Sequence, residues 1–369
     1  MEFLKGAPKT QRLELKDILG GAHRNETVQV AGMVHARQTV GGGLTFLKLR
    51  KRDGILQCTC AEGVDVSGVP EEAAVVVTGT LREEPRAPGG VELAAQAVEV
   101  LSRPAAPLPV PVPKARLNIN LDTELGLRPV VLRHLRERSV FKVQECLGRA
   151  FREYLQGQGF TEVHTPKIVH AGAEGGSNIF RLDYFGRKAF LAQSPQFYKQ
   201  TMVGVFERVF EVAPVFRAEK HSTARHLNEY TSLDFEMGFI DSFADVMAME
   251  TGFLQYAMEL LRTEYAADGK RLGIAIPNVE RIPCVRFDEV KGLAAEKYGY
   301  QIRDPYDLEP EEEHAIGRYA KEEWGSDFVF VTHYPSKKRP FYAMDDPEDP
   351  QYTLSFDLLS LHGGKETCA

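Results

Sequence analysis

Val215-Phe-Arg-Ala-Glu-Lys-His-Ser-Thr-Ala-Arg-His-Leu-Asn-Glu-Tyr230 is a polar, cation-rich segment held between two apolar ones. Arg208 to Arg217 before it and Ser232 to Ile240 after it are alternating or β-branched and read as strands. Ala218 to Tyr230 then becomes the loop of a hairpin, with Arg217 at the end of one strand and Asp234 and Glu236 on the next. Strands that return as neighbours without regular βαβ alternation predict an antiparallel α+β domain. The loop gathers Lys220, His221, Arg225 and His226. With Arg217 these form a cradle suited to a polyphosphate, because arginine binds phosphate oxygens bidentately and fixed cations stabilise charge that develops in transfer. Charge alone is equally consistent with a surface loop paired to Glu219 and Glu229.

Working outward, Val140, Val143, Leu147, Phe151 and Leu155 recur at helical spacing until Gly157 and Gly159 end the run. Phe160 to Val163 reads as a strand that Thr165-Pro166 terminates, and Phe243 to Arg262 as an amphipathic helix. Phe328 to Val331 and Tyr352 to Leu358 add strands near the end. In Gln193-Ser-Pro-Gln-Phe-Tyr-Lys-Gln200, Pro195 suits the first helical position after Ser194, with Gln196 and Lys199 one turn apart. Ala171-Gly-Ala-Glu-Gly-Gly-Ser177 is a glycine-rich loop with one acid, Glu174. Taken singly, these are an ordinary helix start and an ordinary turn.

The first hundred residues follow a different period. Val28 to His35, Leu44 to Arg50, Ile55 to Cys60, Val75 to Leu81 and Val91 to Leu101 are five short strands separated by Gly, Asp and Pro clusters, which predicts an OB-type five-stranded barrel. Residues 1–104 carry 13 Lys+Arg and 13 Asp+Glu, so the net charge of −7 arises entirely beyond them. The run Lys48, Arg50, Lys51, Arg52 is as consistent with a nucleic-acid surface as with a solvated strand edge. Prolines 104, 107, 109, 111 and 113 then favour a semi-rigid extended spacer. The expected organisation is an OB module over 1–104, a hinge over 105–125 and an α+β domain over 126–369.

The 369 residues are 43% hydrophobic and 26% charged, which argues against disorder, collagen and coiled coil. No stretch approaches a membrane span, and Met1 to Gly20 is charged rather than a leader, so the expected setting is the cytosol. Five scattered cysteines suit neither a disulfide framework nor a four-cysteine zinc site, and Cys58 and Cys60 read as reduced packing residues. Neither G-x-x-x-x-G-K-[ST] nor G-x-G-x-x-G occurs, so a nucleotide site has to be built another way.

Taken together, the segments resemble the class II aminoacyl-tRNA synthetases. Gly159-Phe-Thr-Glu-Val-His-Thr-Pro166 is similar to the end of motif 1, and Phe216-Arg-Ala-Glu219 with its loop and Asp234 to motif 2. Glu174-Gly-Gly and Gln193-Ser-Pro-Gln-Phe-Tyr-Lys199 resemble the flipping loop and amino-acid pocket of the aspartyl/asparaginyl subgroup, and Arg225-His-Leu-Asn-Glu229 its archaeal-type branch. The resemblance implies an ATP-dependent ligase that activates aspartate and charges tRNA, with Mg2+ and as a homodimer. It implies aspartate contacts from Glu174, Ser194, Gln196, Phe197, Tyr198, Lys199, Arg217 and Asp234. ATP contacts fall to Arg217, Ala218, Glu219, Arg225, His226, Leu227 and Tyr230, with Arg217 the catalytic cation on the α-phosphate and no metal ligand assigned.

Lys199 favours a carboxylate substrate, since an amide would leave a buried ammonium unpaired; asparaginyl enzymes lack this lysine by family pattern. Alignment of Val30-Ala-Gly-Met-Val-His35 and Arg86-Ala-Pro-Gly-Gly90 puts His35 and Pro88 at two anticodon-facing positions. Archaeal-type enzymes that accept only tRNA(Asp) have Trp and Lys there, whereas His and Pro mark those that also accept tRNA(Asn) for a separate amidotransferase. On the residues alone these are a strand histidine and a turn proline. The rival readings are a non-catalytic synthetase paralogue that binds tRNA or adenylate, and an asparagine-charging or asparagine-synthesising relative. Ser355-Phe-Asp-Leu-Leu359 matches the family, after which Ser-Leu-His-Gly-Gly-Lys-Glu-Thr-Cys-Ala369 departs from it. The expectation is that the Mg2+ carboxylate, a substrate-facing arginine and motif 3 are missing, with an unpaired edge on the core sheet and activity of the chain in question.

Overall fold

β-Branched and alternating runs become strands throughout the first hundred residues. The computed structural model describes residues 13–173, 179–218 and 227–360, and the backbone of 364–368. It divides into two units, Met1–Ser139 and Val140–Ala369. In the first, helix α1 (Leu15–Leu19) precedes β1 (Thr27–Thr39), β2 (Thr45–Arg50), β3 (Ile55–Cys60), β4 (Ala74–Glu83) and β5 (Val91–Ser102). These close into a barrel of order β1-β2-β3-β5-β4, antiparallel except where β3 meets β5. This is the expected OB fold.

Burial along β4 alternates, so Val75, Val77 and Leu81 point inward and meet Leu47, Leu49 and Leu56 from β2 and β3. At Gly79 the register with β5 shifts, and a Cβ there would stand 2.3 Å from the Ala94 carbonyl oxygen. Only glycine lets the two backbones approach so closely. Cys58 and Cys60 lie in the barrel core, where burial raises both thiol pKa values, Cys60 to about 11. The basic run divides: Arg52 is exposed, but Arg50 turns inward onto Glu72 and so is no surface cation. Beyond the barrel come α2 (Leu121–Gly126) and α3 (Arg128–Val131). The proline-rich segment has no regular structure, yet Val110 and Val112 are buried with Val131 in a small cluster of their own. Helix α4 (Leu135–Gly157) spans the boundary in sequence.

The second unit is α+β. Its strands are β6 (Thr161–Glu162), β7 (Ile168–Val169), β8 (Arg181–Tyr184), β9 (Arg187–Leu191), β10 (Arg208–Phe216), β11 (Glu229–Met237), β12 (Cys284–Arg286), β13 (Phe328–Thr332), β14 (Phe356–Ser360) and β15 (Gly364–Cys368). Its remaining helices are α5 (Gln196–Phe206), α6 (Phe243–Thr263), α7 (Ala266–Leu272), α8 (Phe287–Tyr298) and α9 (Pro310–Trp324). They frame sheets of order β11-β10-β6, β7-β9-β8 and β12-β13-β14-β15. Phe151 of α4 sets its ring edge-on to Phe210 of β10 at 5.7 Å and to Phe253 of α6 at 5.0 Å, fixing helices to sheet.

The expected strand over Tyr352 to Leu358 begins later, at Phe356, because Tyr352 and Thr353 make isolated bridges to Pro335 and Asp345 instead. Nor is β14 left as an edge. The backbone of Gly364–Cys368 pairs antiparallel to it, using N–H and C=O groups that the expectation left unpaired.

Candidate functional site

The expected β10–β11 hairpin forms, its second strand three residues earlier than Ser232 to Ile240, in register from Arg208↔Met237 to Phe216↔Glu229. Arg217 donates its backbone N–H to the Asn228 carbonyl at 3.1 Å and closes the ladder. One bond then ties a second segment to this end of the hairpin: Phe216 N–H donates to the Ala192 carbonyl at 2.9 Å. Gln193, Ser194 and Pro195 therefore start beside Arg217. Pro195 is the residue before the helix rather than its first, and the Ser194 hydroxyl accepts from the Gln196 N–H at 3.3 Å. Helix α5 leaves from here and packs on the hairpin.

That path brings Lys199 over β11. Its ammonium is 3.2 Å from Asp234 Oδ1 and 3.5 Å from Glu236 Oε2, with all three side chains largely buried. Two carboxylates at i and i+2 share one face of a strand, so one lysine can meet both. Burial raises the Glu236 pKa, and Lys199 opposes that shift without overcoming it. The Ser232 hydroxyl donates to the second oxygen of Asp234. Arg217 lies with its guanidinium carbon 6.0 Å from the Tyr230 ring centroid.

A cavity of about 190 Å³ opens beside the start of α5, lined by Val169, His170, Ala171, Ala173, Ala192, Gln193, Ser194, Phe197 and Tyr198. The structure thus brings together Ser194, Phe197 and Tyr198 at the cavity, and it pairs Lys199 with Asp234. Gln196 is buried at the first turn of α5, and Ala218 and Leu227 flank the hairpin loop, Leu227 exposed. Glu174, Glu219, Lys220, His221, Arg225 and His226 lie outside the described residues. His35 and Pro88 belong to the first unit: His35 is buried on β1, and Pro88 is exposed in the turn before β5.

Sequence reasoning placed Glu236 on the strand with Asp234 but gave it no role, and it passed over Phe341. Phe341, 70% exposed, stacks on the half-exposed Phe197 with ring centroids 6.1 Å apart, but no periodicity marks its loop. Mg2+ asks for carboxylates with open positions. Among the described residues no group of three or more His, Cys, Asp or Glu could hold a metal, and Asp234 and Glu236 are taken by Lys199. No helix among the described residues is long and apolar enough to cross a membrane.

Comparison with known proteins agrees with this fold. Residues 120–369 match the family model of class II tRNA synthetases (D, K and N), and residues 28–101 match the OB-fold nucleic acid binding domain. A protein of Deinococcus radiodurans named aspartate–tRNA(Asp/Asn) ligase is 48% identical over 343 residues, covering 91% of this chain and 78% of the relative. One of the same name from Aeropyrum pernix is 41% identical over 90% of this chain and 77% of its own length. Among solved structures, asparaginyl-tRNA synthetase from Pyrococcus horikoshii with asparaginyl-adenylate superposes with a TM-score of 0.83 at 29% identity, over 96% of this chain and 82% of that one. Aspartyl tRNA synthetase from Entamoeba histolytica gives 0.82 at 25% identity, over 100% and 80%.

Proposed function

Because the chain belongs to the class II tRNA synthetases (D, K and N), we propose that it is an aspartate–tRNA ligase with relaxed tRNA choice. It activates L-aspartate with ATP and transfers the aminoacyl group to tRNA(Asp) and tRNA(Asn). The observation that carries the reading is Lys199, paired with Asp234 and Glu236 and carried on α5, the helix whose Phe197 and Tyr198 line the cavity. Aspartate answers that charge pattern: its ammonium satisfies a carboxylate and its side-chain carboxylate takes the lysine. Asparagine has no side-chain carboxylate and forgoes that charge-assisted contact.

In the proposed reaction the α-carboxylate attacks the α-phosphorus of ATP, the bond to the bridging oxygen breaks, and pyrophosphate leaves. Arg217 neutralises charge on the α-phosphate while Ser194, Gln196, Phe197, Tyr198 and Asp234 hold the amino acid. A ribose hydroxyl at the tRNA end then attacks the aspartyl carbonyl and releases AMP. Positioning and charge neutralisation supply the rate, with no acid–base residue required. Glu174 on the ammonium, Glu219 on adenine, Arg225 and His226 on the outer phosphates, Ala218, Leu227 and Tyr230 around the nucleotide complete the reading. Mg2+ would accompany ATP and neutralise phosphate charge.

Residues 1–104 serve as the anticodon module, with His35 and Pro88 facing the anticodon; 105–125 act as the hinge and 126–369 as the catalytic domain. The working form is a cytosolic homodimer whose Asp-tRNA(Asn) passes to a tRNA-dependent amidotransferase. The names of the Deinococcus and Aeropyrum relatives support the dual tRNA use. The test is aspartate-dependent ATP–pyrophosphate exchange on this chain with Mg2+, and asparagine as control. Exchange with aspartate alone is expected; its absence in folded protein would turn the reading to a non-catalytic paralogue.

A further inference from the structure

We propose that Arg50 is a positioning residue for tRNA choice: it fixes His35 as the tautomer protonated on Nε2, so that the ring offers a donor which cytosine and uracil both accept. The inference rests on the reading of His35 as an anticodon contact.

His35 stands at the break in the β1–β2 register, between Val34 and Ala36, and is 7% exposed. Arg50 Nη1 meets its Nδ1 at 3.4 Å. A guanidinium has donors only, so Nδ1 must carry the lone pair and the single ring proton sits on Nε2. A doubly protonated ring would turn an N–H against that cation. Burial first, and the Arg50 charge second, push the His35 pKa down to about 4, which keeps the ring neutral at neutral pH. Among the described residues His35 makes no hydrogen bond other than this one, which leaves Nε2–H for a ligand.

Arg50 is itself locked. Its two terminal nitrogens donate to the two Glu72 oxygens at 2.6 and 2.7 Å, with both side chains buried, and Arg133 donates to Glu72 at 2.9 Å. Glu72 adopts a φ of 63°, a left-handed backbone that costs a glutamate about 1 kcal/mol or more. Its N–H donates to the Val34 carbonyl at 2.7 Å, next to His35. The strain is held in place by that bond on one side and two arginines on the other, and its effect is to aim the carboxylate at Arg50.

Codon pairing makes the aspartate and asparagine anticodons differ at their third base, cytosine or uracil. The two pyrimidines differ at position 4, an amino donor against a carbonyl acceptor, and share the O2 acceptor. A fixed N–H that reads O2 treats them alike, whereas a group that reads position 4 separates them.

The test uses the full chain with 15N-labelled histidine and two anticodon stem-loop RNAs that differ only at that base. Ring 15N–1H correlation at neutral pH is expected to put the His35 proton on Nε2, and the two RNAs to bind with closely similar affinity. Arg50→Met should mix the tautomers and shift the affinity ratio by about fivefold or more, the scale of one hydrogen bond. Arg50→Lys, which restores a donor, should recover part of the ratio. A wild-type ring protonated on Nδ1, or on both nitrogens, overturns the proposal without any variant. If His35→Ala changes the ratio while Arg50→Met leaves ratio and tautomer as they were, only the role of Arg50 falls. If His35→Ala alters binding of neither RNA, the anticodon reading itself falls, and the proposal with it.

Discussion

At the scale of single residues, the proposed choice of aspartate turns on Lys199. Lys199→Leu removes the cation between Asp234 and Glu236, so these two carboxylates would repel a third instead of a lysine pairing with it. Breaking a buried pair costs about 3–5 kcal/mol, so aspartate-dependent exchange should fall by about a hundredfold or more, chiefly through KM. An unchanged KM for aspartate would remove the substrate argument. His35 yields a pH prediction. Its folded pKa of about 4 lies below its ordinary 6.5. Between those values the unfolded chain therefore binds more protons, and stability falls as pH drops through that window. The charged or titratable groups facing it are Arg50, Glu72, His134 and Arg138. Going from pH 7 to pH 4 should cost the barrel on the order of 3 kcal/mol, read as a lower urea midpoint that His35→Gln abolishes. Equal pH slopes in both proteins would contradict it.

At the scale of elements, two glycines should respond with opposite sign. Gly79→Ala sets a methyl 2.3 Å from the Ala94 carbonyl across two backbones that cannot part without opening the β4–β5 ladder. A loss of about 1–3 kcal/mol is expected for the barrel's melting transition. Gly148→Ala on α4 meets only the tip of Arg152, at 3.9 Å, and should stabilise by about 0.5–1 kcal/mol through helix propensity. A stabilised Gly79→Ala would mean the bulge is softer than its geometry. The same contrast explains what could be read from the sequence. Strands β2 and β3 are legible because alternating apolar residues meet glycine and aspartate turns, and α6 because its stripe is apolar and capped by Ser242 and Asp245. Helix α9 carries few apolar residues, and it stands on a Glu309–Glu312 capping box that no hydrophobic period announces. Arg50 misled because strand alternation cannot tell that an arginine has a buried glutamate as partner. Likewise Lys199 could be named from its motif, but its second carboxylate, Glu236, emerges only when α5 is laid on β11.

At the scale of the whole molecule, the chain separates two kinds of recognition along its length. Residues 1–104, which include His35 and Pro88, hold balanced charge, and the negative excess belongs to the residues beyond 104. An anionic RNA therefore meets no net repulsion from the barrel, and its choice there depends on shape and hydrogen bonding more than on bulk charge. Changing His35→Trp together with Pro88→Lys replaces a fixed donor and a turn proline by a larger ring and a cation. Trp needs space beside Arg50 and Glu72, so the substitution alters what the module presents to the third anticodon base, while Lys adds contact to phosphate in either tRNA. The expected result is selective: charging of tRNA(Asn) drops by about tenfold or more relative to tRNA(Asp), with pyrophosphate exchange as the internal reference for active sites. Salt sharpens the comparison. The added lysine should steepen the salt dependence of both tRNAs equally, by about one counterion, whereas the lost tolerance for uracil should persist at every salt concentration. Equal loss on both tRNAs at all salt concentrations would mean that His35 and Pro88 hold the barrel together and do not read the anticodon.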